Sequence, residues 1–240
     1  MSTFDTGAAE DRSPWTRPAF VASAVLIVVI AILGLVLVLT GPGTAPSPAV
    51  PATPVPPQAP ARSANSSACG LAPGDQSAPT VAPKVKWELV GRMAAPSAPK
   101  GAGPARSSDG FRTCFAHSPT GALYAAVNFW ASLTAHPAAE VYRHLAADTP
   151  ARSSAIKAAS ATAEELEARL QVAGFVISSY AAARSTIKLA FRLAQGRWVT
   201  IDSPMVWVDG DWRYDIPLDQ GRASMSRIED LGGFIQWSGV

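Results

Sequence analysis

TIKLAFRLAQGRWVTIDSPMVWVDGDWRYDI, residues 186–216, carries the pattern on which the fold turns. Ile187, Leu189, Phe191 and Leu193 alternate with Thr186, Lys188, Ala190 and Arg192, so one face is apolar and the other wet. Successive side chains of a strand point to opposite faces, and such alternation reads as antiparallel sheet with one solvated side. Gln195-Gly196 and Asp209-Gly210 supply turns, the second between PMVWV and DWRYDI as in a tight hairpin. Val199 and Ile201 read as inward residues, which turns Asp202 outward. With residues 175–183 as a first strand, the pattern predicts four antiparallel strands in a meander.

Towards the N-terminus the period becomes helical. EELEARL predicts a helix over 160–173, ended by Gly174, and PAAEVYRHLA predicts a short helix after the break at His136-Pro137. Ser118-Pro119 is a helix start, with Ser as N-cap and Pro at the first helical position, and this helix is expected to run to residue 135. Leu123, Val127, Trp130 and Thr134 share one side, while Tyr124, Ala126, Phe129 and Leu133 make the other apolar too. A helix apolar all round belongs in a core. Residues 87–90 read as a short strand and 94–110 as a Pro/Gly/Ser/Ala loop. Helices first and sheet afterwards predict an α+β domain over 84–240, with helices packed on a curved four-stranded antiparallel sheet.

Upstream, residues 41–83 hold Pro42, Pro46, Pro48, Pro51, Pro54, Pro56, Pro57 and Pro60 among Ala, Thr, Val and Ser. This composition cannot bury a core and predicts a disordered, stiff tether, extended at about 3.1 Å per residue. Before it, FVASAVLIVVIAILGLVLVL, residues 20–39, is uncharged and proline-free, which predicts one transmembrane helix over 19–40. Arg12 and Arg17 precede the run and the next basic residue is Arg62, so the tail 1–18 is expected in the cytoplasm and the domain outside a plasma membrane crossed once. A cleaved signal peptide is the competing reading; its apolar region is about 7–15 residues, shorter than this run. The small pair Ala19 and Ser23 sits at the edge of the span and reads as composition.

The chain has 20 Lys+Arg and 18 Asp+Glu, a net charge of +2, with no basic stripe interleaved with aromatics, which argues against direct nucleic-acid binding. Cys69 and Cys114 both fall on the expected outer side, where an oxidising compartment permits a disulfide, and they are expected to pair. A catalytic thiol lacks a neighbouring His in sequence, and lipidation of Cys69 lacks a lipobox abutting the apolar run.

No motif carries chemistry. His136, Glu140 and His144 share a helix face at i, i+4 and i+8, but at about 1.5 Å rise per residue the histidines stand roughly 12 Å apart along the axis, too far for one ion. Asp202, Asp209, Asp211 and Asp215 lack the spacing of a calcium loop, and Asp209-Gly210-Asp211 is turn chemistry. Asp202, after Trp198 and Thr200, is a pocket base only if it faces inward. His117 precedes the Ser118 cap and needs no special role. The expectation is therefore no enzyme, no cofactor, no metal and no catalytic residue.

The order of elements, together with WVDGDWRYDI, is similar to the cone-shaped nuclear-transport-factor-2-like fold. GRMAAPSAPKGAGPARSSDGFRTCFAHSPTGALYAAVNFW (91–130) and DLGGFIQW (230–237) resemble uncharacterised actinobacterial single-pass membrane proteins associated with conjugative elements. These in turn look like the bitopic scaffold subunits of type IV secretion machines. The resemblance implies a membrane-anchored, non-enzymatic scaffold or assembly subunit, with the bilayer, other secretion-apparatus proteins and itself as partners. Docking is expected on the wet sheet face at Lys188, Arg192, Arg197 and Arg213, and at the hairpin tip with Trp207 and Trp212. The alternative is an extracytoplasmic small-ligand-binding or envelope-structural protein.

Overall fold

The alternation at 186–193 does form a strand, but its sheet is larger than the pattern implies. The structure is a computed structural model that describes residues 66–162, 170–194, 196–218 and 225–239. The apolar run at 20–39 and the tether up to residue 65 lie outside the described residues, among which no helix is long and apolar enough to cross a membrane. The elements are β1 (Lys86–Val90), β2 (Met93–Ser97), β3 (Arg106–Ser108), β4 (Phe111–Thr113), α1 (Pro119–Ser132), α2 (Ala138–Leu145), α3 (Pro150–Thr162), β5 (Leu170–Ala181), β6 (Arg184–Leu193), β7 (Trp198–Val208), β8 (Asp211–Tyr214), β9 (Met225–Ile228) and β10 (Ile235–Gln236).

The expected α+β cone with helices on a four-stranded sheet is overturned. The described residues form a mostly β fold with one six-stranded antiparallel sheet, ordered β10-β5-β6-β7-β8 with β9 also on β7, and two separate two-stranded sheets, β1-β2 and β3-β4. The meander β5-β6-β7-β8 is as read, with the Asp209-Gly210 turn between β7 and β8. What composition concealed are the short strands. β2 (MAAPS) reads as loop, yet it is buried throughout and pairs only with β1, so Pro96 removes no second ladder bond. β7 shares one edge between β9 at residues 198–201 and β8 at residues 205–208. Pro204 falls between these ladders, its carbonyl accepting from the Asp215 amide at 2.9 Å.

Gly174 does not end a helix. It sits in β5, where a Cβ would come within 3.0 Å of the Ile235 carbonyl oxygen, so its bareness admits β10. The expected helix over 160–173 is corrected accordingly: α3 occupies Pro150–Thr162, where PARSSAIKAASAT shows no apolar stripe, and residues 170–173 are strand. Residues 163–169 lie outside the described residues.

Helix α1 is the core element the sequence predicts. Ser118 Oγ accepts from the Gly121 amide at 3.0 Å, and every residue from Gly121 to Ser132 is buried. Trp130 Nε1 donates to Ser203 Oγ of β7 at 2.8 Å, and the Asn128 amide donates to the Pro96 carbonyl of β2 at 3.1 Å, so one helix ties the sheet to the β1-β2 hairpin. Phe129 stacks on Tyr214 of β8 with centroids 4.0 Å apart. At Gly121 a Cβ would lie 1.9 Å from the Ala116 carbonyl oxygen. Gly121→Ala is therefore expected to destabilise the domain by about 2 kcal/mol, because backbone and not a flexible side chain must give way. An unchanged thermal midpoint would show that the Ala116 turn yields freely.

The buried tyrosines set an alkaline limit. Burial pushes the Tyr124 hydroxyl from 10.0 up to about 12 and raises Tyr214 further, helped by the charges of Tyr142, Asp202 and Asp215. A folded-state value above the unfolded one means full stability below the unfolded value, lost as pH rises through the folded one. Stability is thus expected to fall between pH about 10 and about 12, by up to about 1.4 kcal/mol per pH unit for each such tyrosine. Denaturant titrations across that range, with phenolate absorbance, check it.

Candidate functional site

The first described residues are not free tether. Residues 66–83 lie along the domain as a strap, although the linker is expected to reach 83. The Ala68 amide donates to the Gly210 carbonyl at 2.8 Å, in the β7-β8 turn. Cys69 is disulfide-bonded to Cys114 with Cα atoms 6.0 Å apart. Gln76 Nε2 donates to the His117 carbonyl at 2.8 Å while its Oε1 accepts from the Tyr180 hydroxyl at 2.8 Å. At the other end Trp237 Nε1 donates to the Pro83 carbonyl at 3.0 Å. The chain therefore meets the domain at the C-terminal tip of β7. The opposite end of this 11-residue strand lies roughly 35 Å away at about 3.3 Å per residue.

Asp211 secures the strap's anchor. It is 3% exposed, and its carboxylate accepts from the amides of Cys114 (2.8 Å), Phe115 (2.9 Å) and Trp212 (2.9 Å). Burial pushes this carboxyl up, against the three amides and the Arg213 guanidinium, which pull it down. Cys114 itself has φ +75°, a left-handed conformation that a non-glycine residue holds only when its surroundings impose it.

The other acidic residues do not converge. Asp202 is exposed and lies 4.0 Å from Lys188, Asp209 occupies the turn at φ +54°, and Asp215 pairs with Arg184. His136 and His144 both stack on Phe111, with centroids 4.4 and 4.2 Å apart. His117 is buried against Trp207 at 4.1 Å. Among the described residues no group of three His, Cys, Asp or Glu is placed to hold a metal ion.

At the far end of the sheet from the strap's anchor lies a groove of about 860 Å³. Its walls are the β1-β2 turn (Gly91, Arg92), the start of β5 (Gln171), the end of β6 (Arg192, Leu193), Trp198 of β7 and the C-terminal Gln236 and Trp237. Gln171 builds one corner: its Nε2 donates to the Arg92 carbonyl at 2.9 Å and its Oε1 accepts from the Ala94 amide at 3.2 Å. The Arg192 guanidinium carbon stands 5.7 Å from the centre of the Trp198 ring, within cation–π range. Leu89, 74% exposed, forms the rim. Among the described residues no Asp or Glu lines the groove.

Of the residues expected to dock partners, Arg192 lines this groove, and exposed Arg197 stands in the adjoining β6-β7 turn. Lys188 is half-buried beside Asp202 on the sheet face. The hairpin-tip set is used internally. Trp212 is 3% exposed and donates to the Ala116 carbonyl, and half-buried Trp207 stacks on His117, while Arg213, expected on the wet sheet face, donates to the His144 carbonyl. Arg92 and Gln171 escape a reading by sequence because they meet only when the β1-β2 hairpin folds onto β5. Arg192 and Trp198, both on the wet side of the alternation, are the groove residues with a local signal.

The geometry thus defines a mostly β domain strapped by its own N-terminal segment, with a basic, aromatic groove at the end remote from the strap's anchor. The chain belongs to the family described as a domain of unknown function, DUF8175, whose model matches residues 49–236 and so takes in the strap as well as the sheet. No curated protein and no solved structure matches it.

Proposed function

We propose that the protein is a membrane-anchored, non-enzymatic scaffold subunit that presents this groove to a protein partner outside the cell. The observation that carries the reading is the position of the groove, at the end of β7 opposite the turn where the tether joins. In this reading residues 20–39 serve as the anchor and the Pro-rich segment as spacer, and the groove lies at the end of the sheet that the first strap residues leave uncovered. Trp and Arg are also the residues that most often dominate protein interfaces. The nuclear-transport-factor-2-like premise is gone with the fold correction. The likeness of segments 91–130 and 230–237 to conjugation-associated proteins makes a transfer apparatus the first setting to examine.

The test is in-cell photocrosslinking of the full chain from position 89 on the groove rim, with position 218 as control, followed by mass spectrometry. Recovery of other membrane or transfer-channel proteins from position 89 alone is the expected result. Adducts from neither position, or the same adducts from both, would sink the reading.

A further inference from the structure

We infer that the Cys69–Cys114 disulfide is a redox-operated latch: a dithiol reductant opens it at Cys69, and the strap then leaves the domain as far as Pro83 while the sheet and α1 stay folded. The noncovalent hold on the strap is slight. Among the described residues no helix or strand begins before Lys86, and residues 72–78 are exposed throughout. Among the same residues, every hydrogen bond from 70–82 to the rest of the domain passes through one side chain, Gln76, which engages the His117 carbonyl and the Tyr180 hydroxyl. On either side of it, Ala68 donates to the Gly210 carbonyl and Pro83 accepts from Trp237. A segment with few buried contacts opens locally, without the core. The core in turn does not depend on the strap: Ser118 caps α1, Asn128 and Trp130 tie that helix to β2 and β7, and β5 to β8 pair among themselves. The bridge is thus what keeps the strap docked.

Access decides which sulfur is attacked. Cys114 is 2% exposed, whereas Cys69 is only half-buried. A thiolate of the reductant bonds to Cys69 Sγ, the S–S bond breaks, and its electron pair leaves on Cys114 Sγ, which takes up a proton. The second thiol of the reductant, as thiolate, then attacks its partner sulfur in this mixed disulfide and expels Cys69 as a thiolate, which is protonated in turn. Two electrons and two protons have passed to the protein, and the reductant ends as a disulfide. Ser67 Oγ lies 3.6 Å from Cys69 Sγ and is placed to donate to the expelled thiolate. Cys114 stays where it was. Its amide and that of Phe115 remain on the buried Asp211 carboxylate, so the receiving half of the latch is preformed when a disulfide oxidant reverses the exchange. Release uncovers the Tyr180 hydroxyl and the His117 carbonyl. It also moves the point where the strap is fastened from Cys69 to Pro83, about 45 Å of contour at about 3.3 Å per residue.

The experiment equilibrates the purified full chain in detergent with mixtures of reduced and oxidised dithiothreitol, without denaturant, and reads the bridge by thiol alkylation and mass spectrometry. Complete and reversible reduction is expected, with the far-UV circular dichroism unchanged. Hydrogen exchange at residues 66–77 is expected to rise at least about tenfold on reduction while β5 to β8 keep their protection. Gln76→Ala carries the sharper result. Gln76 holds the strap only in the latched state, so its loss is expected to shift the equilibrium toward the dithiol form about tenfold, the size of one or two neutral hydrogen bonds. A strap that stays docked after reduction loses the same bonds in both states, and the equilibrium then does not move. Val81→Ala, at an exposed strap position, is expected to change little. The inference is overturned by reduction that needs denaturant, by loss of the sheet signal on reduction, by an unmoved equilibrium in Gln76→Ala, or by a bridge that fails to re-form. The thermal midpoint of oxidised Gln76→Ala checks that the variant folds; if it does not, exchange in the unsubstituted chain decides alone.

Discussion

Removing the Cys69–Cys114 disulfide, by reduction or as the double variant Cys69→Ser/Cys114→Ser, is expected to lower the unfolding free energy of the chain by about 4 kcal/mol. The bridge closes a loop with a sequence separation of 45, and the loss is the chain entropy regained by the unfolded state. Guanidinium titrations of oxidised and reduced protein measure it directly. The strap adds a local signature. Once it is cut loose at Cys69, the strap is held by hydrogen bonds such as Ala68–Gly210, Gln76–His117 and Tyr180–Gln76 without the covalent link, so hydrogen exchange at residues 66–77 is expected to accelerate ahead of the sheet. Coincident titrations would mean that the strap stays ordered without the bridge and that the unfolded chain gains little from its release.

Asp211→Ala is expected to be comparably severe, at about 3–5 kcal/mol, because the amides of Cys114, Phe115 and Trp212 lose their buried acceptor together. Asp211→Asn keeps the shape and one acceptor oxygen but turns an N–H group toward amide donors, and about 2–3 kcal/mol is expected for it. Both substitutions act on the backbone of Cys114, the residue that also carries the bridge and the φ of +75°. Their effects are therefore expected to be non-additive with loss of the disulfide. A double-mutant cycle in denaturant reads the coupling. Additivity within about 0.5 kcal/mol would show that Asp211 and the bridge stabilise the strap independently.

The bridge is expected from the sequence, whereas the effect of Asp211 is not legible at the residue concerned. Asp211 in Asp209-Gly210-Asp211 reads as turn chemistry, and the turn is there, with Asp209 and Gly210 at φ +54° and +77°. That its third residue points inward to hold a segment 97 positions earlier in sequence has no local trace. The hairpin-tip tryptophans fail for a related reason. A tip looks exposed in a meander considered alone, but here the strap and the His117 segment pack over it. Conversely, the inward turn of Val199 and Ile201 and the outward turn of Asp202 follow from period two alone, and burial respects them.

The sequence by itself determined what neighbours in the chain can decide. Ser118 and Pro119 start α1, the apolar content of that helix puts it in the core, and alternation with Gly-containing turns makes the meander from β5 to β8. Caps, turns and periodicity act within a few residues, so composition records them. Tertiary structure alone decided the six-stranded sheet and the groove. β10 exists because Gly174 lets a backbone from the far end of the chain approach β5, and β2 is a strand because α1 covers it. The groove wall depends on Gln171 reaching Arg92 across 79 positions, and the strap's end on Trp237 reaching Pro83 across 154. Contacts of that separation depend on shape and on satisfying buried polar groups, and no periodicity encodes them.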